Sequence, residues 1–108
     1  MNNVLQNFIQ KNKVFIFSGT YCPYCDIAKS TLTKLGVNYG YVNIDIDPIF
    51  TNDVLKKLNT ICGFETIPKI FVGENCIGGN DDMQELLKTG ELKQIFDDEG
   101  ISYDSSKF

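Results

Sequence analysis

Short apolar runs separated by polar punctuation divide this chain into elements. Val4, Leu5, Phe8 and Ile9 recur at helical spacing, which predicts an amphipathic helix over about residues 3–12 that covers one face of a core. Val14-Phe15-Ile16-Phe17 is unbroken apolar and predicts, with Ser18, a strand over 14–18 buried on both faces. Beyond Ser18-Gly19-Thr20-Tyr21, the residues Ile27, Ala28, Leu32 and Leu35 mark a helix that Gly36 stops. Tyr39 to Ile44 mixes aromatic and β-branched residues and reads as a second strand. Strand, helix and strand at this spacing form a crossover unit with the two strands parallel.

Asp45-Ile46-Asp47-Pro48 offers an N-cap and a proline for the next helix, with Phe50, Val54, Leu55, Leu58 and Ile61 as its buried stripe and Gly63 as its end. Ile70-Phe71-Val72 and Cys76-Ile77, joined by Gly73-Glu74-Asn75, read as an antiparallel hairpin. Gly78-Gly79-Asn80-Asp81-Asp82 then caps a helix carrying Met83, Leu86 and Leu87, and a last turn or two carries Leu92, Ile95 and Phe96. From Asp97 to Phe108 the chain reads as polar and loosely held. The expected fold class is α/β: a four-stranded mixed sheet flanked by helices, in one domain over residues 1–108.

Composition narrows the function classes. Apolar residues make up 43% and charged residues 22% of the 108, the balance of a globular protein with a single core. A net charge of -4 argues against nucleic acid as a main partner, and no apolar run is long enough for a transmembrane helix. Four cysteines with no cationic-then-apolar signal segment, and no Arg-rich transit segment, lead to the expectation of a reducing, cytoplasmic setting.

The chemistry concentrates in Cys22-Pro23-Tyr24-Cys25, where the first strand hands over to a helix. Proline has no N–H to waste and a φ preset for helix, so Pro23 fits the first helical position and Cys22 becomes the N-cap. The Cys22 sulfur then faces the free N–H groups of Tyr24 and Cys25. Those donors and the positive end of the helix dipole favour a thiolate nucleophile. Cys25 lies one turn on, close enough to close a disulfide with Cys22. A structural zinc site stands behind this redox reading, because Cys62 and Cys76 are far apart in sequence and the chain has no histidine. A purely structural disulfide stands behind it too, since that belongs with small secreted chains.

The pattern resembles the glutaredoxin family, and more closely its dithiol branch, on the thioredoxin-like fold. Three signatures carry the resemblance over roughly residues 3–100: Thr20-Tyr21-Cys22-Pro23-Tyr24-Cys25, then Thr66-Ile67-Pro68, then Gly78-Gly79 followed by Asn80-Asp81. Thioredoxins typically carry Trp-Cys-Gly-Pro-Cys, whereas this chain has no tryptophan; the monothiol branch resembles Cys-Gly-Phe-Ser, which Cys25 excludes. The resemblance implies a glutathione-dependent thiol–disulfide oxidoreductase. Cys22 would be its nucleophile and Cys25 its resolving thiol, and it would act as a monomer on glutathionylated or disulfide-bonded proteins, without a metal. It further implies a cis Ile67–Pro68 bond facing the Cys22 sulfur. The Ile67 backbone then pairs with the glutathione cysteine as an added strand would, the N–H groups of Asn80 and Asp81 beyond Gly79 hold the γ-glutamyl carboxylate, and Tyr24 and Thr66 complete the site.

Departures from the family pattern bear on affinity. Relatives usually carry a lysine where Gly19 stands and a polar or basic residue near Phe64 or Glu65, so the glycine carboxylate of glutathione is expected to be held weakly, with Lys69 or Lys57 as substitutes. Asp26 replaces a frequently cationic neighbour and partly offsets the helix dipole at Cys22. Two rivals keep a place. One is an iron–sulfur module ligated by Cys22 and glutathione from two subunits, which Pro23 and Tyr24 would crowd; the other is a thioredoxin-like reductase substrate that ignores glutathione. Cys76 reads as a small buried hydrophobe, and Cys62 as an exposed thiol open to glutathionylation or dimer formation.

Overall fold

The computed structural model describes residues 3–108, so the single-domain expectation for residues 1 and 2 lies outside the described residues. Helix α1 (Asn3–Ile9) leads to strand β1 (Val14–Ser18), helix α2 (Pro23–Lys34) and strand β2 (Gly40–Asn43). Helix α3 (Asn52–Cys62), the hairpin of β3 (Lys69–Val72) and β4 (Asn75–Gly78), and helices α4 (Asn80–Thr89) and α5 (Glu91–Asp98) complete the fold, with a 3₁₀ turn at Ser105–Lys107. The sheet order is β2-β1-β3-β4. The β1/β2 pair is parallel, as a right-handed crossover through α2 requires, and β1/β3 and β3/β4 are antiparallel.

Strand periodicity divides the core in two. Val14, Ile16, Ile70 and Val72 face one side of the sheet and pack on Ala28, Leu32, Met83, Leu92 and Phe96 of α2, α4 and α5. Phe15, Phe17 and Phe71 face the other and pack on Leu5 and Ile9 of α1, on Phe50 and on Leu58 of α3. Every residue of β1 is buried because helices cover both of its faces. That rigid central strand delivers the Gly19–Tyr21 loop and Cys22 at its C-terminal end.

Three expectations are corrected. Helix α3 starts at Asn52, not after Asp47-Pro48: Asp47 caps a turn through the Ile49 N–H at 3.0 Å, and the Thr51 hydroxyl takes the Val54 N–H at 3.3 Å. Within α3, Ile61 is exposed and Cys62, one turn past Leu58, takes the inward position. The C-terminal segment is held rather than loose. Ile101 and Tyr103 pack on the core, the Asp104 N–H donates to the Leu35 carbonyl at 2.8 Å, and the Tyr103 ring sits 4.8 Å from that of Phe108.

Candidate active site

Pro23 opens α2 and Cys22 is its N-cap in extended conformation, with its sulfur accepting the Cys25 N–H at 3.2 Å. The amide of Cys25, rather than that of Tyr24, makes this contact. Cys22 is half-buried and Cys25 fully buried, and neither is in a disulfide. The nucleophile position therefore meets solvent while its partner does not. Burial pushes the Cys25 thiol up from its ordinary value of 9.0 to about 11, and the hydrogen bond with Cys22 adds to the rise.

The sign of that shift sets a pH window. An unfolded Cys25 ionises near 9.0 and the folded one near 11, so the reduced protein keeps this contribution below pH 9.0 and loses it as pH climbs toward 11. Denaturation midpoints of the reduced chain are expected to fall across this window by more than those of Cys25→Ala. Equal falls would remove Cys25 as the cause.

The loop before Cys22 is pinned from the turn that follows β2. The Thr20 N–H and hydroxyl both donate to the Asp45 carboxylate, at 3.1 and 2.5 Å, and the hydroxyl bond above all holds the Asp45 carboxyl below its usual range. Asp45, read from the sequence as part of a helix cap, instead braces the active loop. Next to it, Gly19 is buried, and a Cβ there would stand 2.5 Å from Ile67 Cδ1. The missing side chain is thus what lets Ile67 lie over the loop.

Ile67–Pro68 is cis, and the Ile67 carbonyl accepts the Cys22 thiol at 3.8 Å. Beside it opens a pocket of about 510 Å³ lined by Tyr24, Phe64, Thr66, Ile67, Pro68, Gly79, Asn80, Asp81 and Asp82. All seven residues expected around a ligand line this pocket, while Cys22 stands at its edge through the Ile67 contact. Phe64 and Asp82 complete the wall; Phe64 stands where relatives were expected to carry a polar or basic residue, and Asp82 had no signal as a lining residue beyond its place in the helix cap. The Asp82 carboxylate takes the Gly79 N–H at 2.9 Å, which leaves the first-turn amides of Asn80 and Asp81 to meet an anion.

The two lysines expected to replace the missing cation do not line the pocket. Lys69 is fully buried, its Nζ donates to the Thr66 carbonyl at 2.7 Å, and it lies 4.8 Å from the Phe64 ring centre. It props the Thr66–Pro68 segment from beneath. Lys57 is exposed on α3.

A dithiol whose first sulfur caps a helix at the end of a central strand, facing a cis-proline segment, defines a thiol–disulfide oxidoreductase of the thioredoxin-like class. A glutaredoxin family model matches residues 14–77. Glutaredoxin-1 of Saccharomyces cerevisiae is 38% identical over 96 residues, spanning 86% of this chain and 87% of its own length. Glutaredoxin-1 of Homo sapiens is 37% identical over 86 residues, spanning 78% and 81%. A crystal structure of a buckwheat glutaredoxin–glutathione complex superposes with a TM-score of 0.82 at 29% identity, covering 90% of this chain and 87% of that one. The chain belongs to the glutaredoxin family.

Proposed function

We propose that this chain is a dithiol glutaredoxin that takes its electrons from glutathione. The Cys22 thiolate attacks the glutathione sulfur of a protein–glutathione disulfide; the Cys22–glutathione bond forms and the protein thiolate leaves. A second glutathione thiolate attacks that mixed disulfide, releases glutathione disulfide and restores Cys22. With a protein disulfide, Cys25 displaces the target from Cys22, and two glutathiones reopen the Cys22–Cys25 bond. With no histidine in the chain, activation falls to the helix terminus at Cys22.

What carries the proposal is the pocket of Tyr24, Thr66–Pro68 and Gly79–Asp81 beside the helix-capping sulfur, with a structural relative in complex with glutathione as its support. The test is reduction of a small mixed disulfide with glutathione as sole reductant. Turnover is expected; a chain that turns over only with a thioredoxin-type reductase would overturn the proposal.

Gly19 supplies a finer prediction. Gly19→Ala meets only Cδ1, the terminal methyl of the Ile67 side chain, which can turn aside, so KM for glutathione should stay within about two-fold of the natural chain. Gly19→Lys makes the same small push but adds a rim cation worth about 0.2–1 kcal/mol, and should lower KM by up to about five-fold. Identical KM values in all three chains would show that this corner does not meet glutathione.

A further inference from the structure

A second pair of free thiols lies outside the site described above. Cys62 ends α3 and Cys76 lies in β4; α3 packs against β4, and both side chains join the apolar cluster around Phe17, Leu58 and Phe71. Helix α2, which carries Cys25, covers the opposite face of the sheet. Both thiols are half-buried, which corrects the expectations of an exposed Cys62 and of a buried Cys76 and leaves each reachable by a small molecule.

The two thiols face each other closely enough to hydrogen-bond, and they are not equivalent. The bond from Cys62 draws the Cys76 thiol below its ordinary value, aided by the Gly78 backbone and the positive charge of Lys69, which outweigh burial and the Asp82 carboxylate. The same bond, with burial, pushes Cys62 up. Lys69 is a fully buried cation whose charge acts on both sulfurs. Thiols become reactive in such electropositive, partly open surroundings, and a buried cation gains most from an anion beside it.

We propose that Cys62 and Cys76 form a second redox-active dithiol, which a small-molecule disulfide oxidises to an intramolecular bond tying the end of α3 to β4. The Cys76 thiolate attacks one sulfur of the small disulfide, whose S–S bond breaks and expels one thiolate. Cys62 releases its proton to solvent and attacks the Cys76 sulfur, expelling the second. Two protein thiols lose two electrons and two protons, and the small disulfide becomes two thiols. Cys62 also begins the segment that runs through Phe64 to Thr66–Pro68, so the bond would anchor one end of the pocket wall.

The test uses the full chain carrying Cys22→Ser and Cys25→Ser, whose remaining cysteines are Cys62 and Cys76. It is incubated separately with glutathione disulfide and hydroxyethyl disulfide, quenched in acid, alkylated and digested with trypsin. Cleavage after Lys57, Lys69 and Lys88 places the two cysteines in separate peptides, 58–69 and 70–88. Loss of both alkylatable thiols, with these two peptides linked and no retained adduct, is expected with both oxidants, and Cys62→Ser on that background should trap the adduct on Cys76. Thiols that stay alkylatable, stable adducts on both cysteines, or links between chains would overturn the proposal. The same digest of the natural chain keeps the test valid if the variant fails to fold, since Cys22 and Cys25 fall in a third peptide, 14–29. Because the variant lacks both proposed catalytic thiols, its outcome is independent of whether the pocket takes glutathione.

Discussion

Cys22→Ser is expected to lower turnover by several orders of magnitude with every disulfide substrate, because a hydroxyl at the cap of α2 does not ionise to an attacking anion. Cys25→Ser should behave differently. Reduction of a glutathione mixed disulfide needs only Cys22 and a second glutathione, so that route should stay within a few-fold of the natural chain, while reduction of protein disulfides collapses. The asymmetry follows from burial: Cys22 is half-exposed, whereas Cys25 has no exposed surface and its thiol is pushed up to about 11. When Cys22 is tied up in a mixed disulfide, its hydrogen bond no longer holds the Cys25 proton, but burial, the larger cause, remains. Resolution by Cys25 is therefore expected to be slow, leaving a second glutathione time to act. Steady-state rates on a small mixed disulfide and on a disulfide-bonded protein check this; equal loss in both assays for the two variants would refute the division of roles.

The second large effect is on stability. Phe17 is fully buried in the middle of β1, with the rings of Phe15, Phe71, Phe50 and Phe8 at 5.2, 5.4, 6.0 and 6.1 Å. Truncation to Ala removes the ring's transfer free energy and leaves a cavity between α1, α3 and the sheet, at a cost of about 3–5 kcal/mol. Against the 5–15 kcal/mol of a typical domain, that is about a fifth of the total or more. Urea denaturation should show the loss as a lower midpoint with little change in slope, and Phe17→Leu should cost less because it leaves a smaller void. A loss below about 1 kcal/mol for Phe17→Ala would mean that the aromatic cluster does not hold this face together.

Much of this was legible from local rules. Pro23 at the first helical position placed Cys22 at the cap without any knowledge of the rest of the chain, and the unbroken Val14–Phe17 run marked the doubly covered strand. Asp47-Pro48 misled because the same two residues serve equally well in a turn, and the Thr51 hydroxyl, four residues later, made the actual cap. Ile101, Tyr103 and Phe108 carry no period, so their packing around Phe96 has no signature in the chain. The bracing of Thr20 by Asp45 spans 25 positions, and the buried turn of Lys69 toward Thr66 depends on a loop whose path the residues alone do not specify. These long-range polar contacts set the shape of the site, whereas its reactive atoms were marked by short motifs.

We propose that the sulfur capping α2 is the one that takes up glutathione. The decisive measurement exposes the Cys25→Ser chain to glutathione disulfide and maps the adducts by mass spectrometry. Glutathione on the peptide 14–29, at Cys22 and in preference to every other cysteine, is the predicted result; an unmodified Cys22 under conditions that modify the other thiols would contradict it.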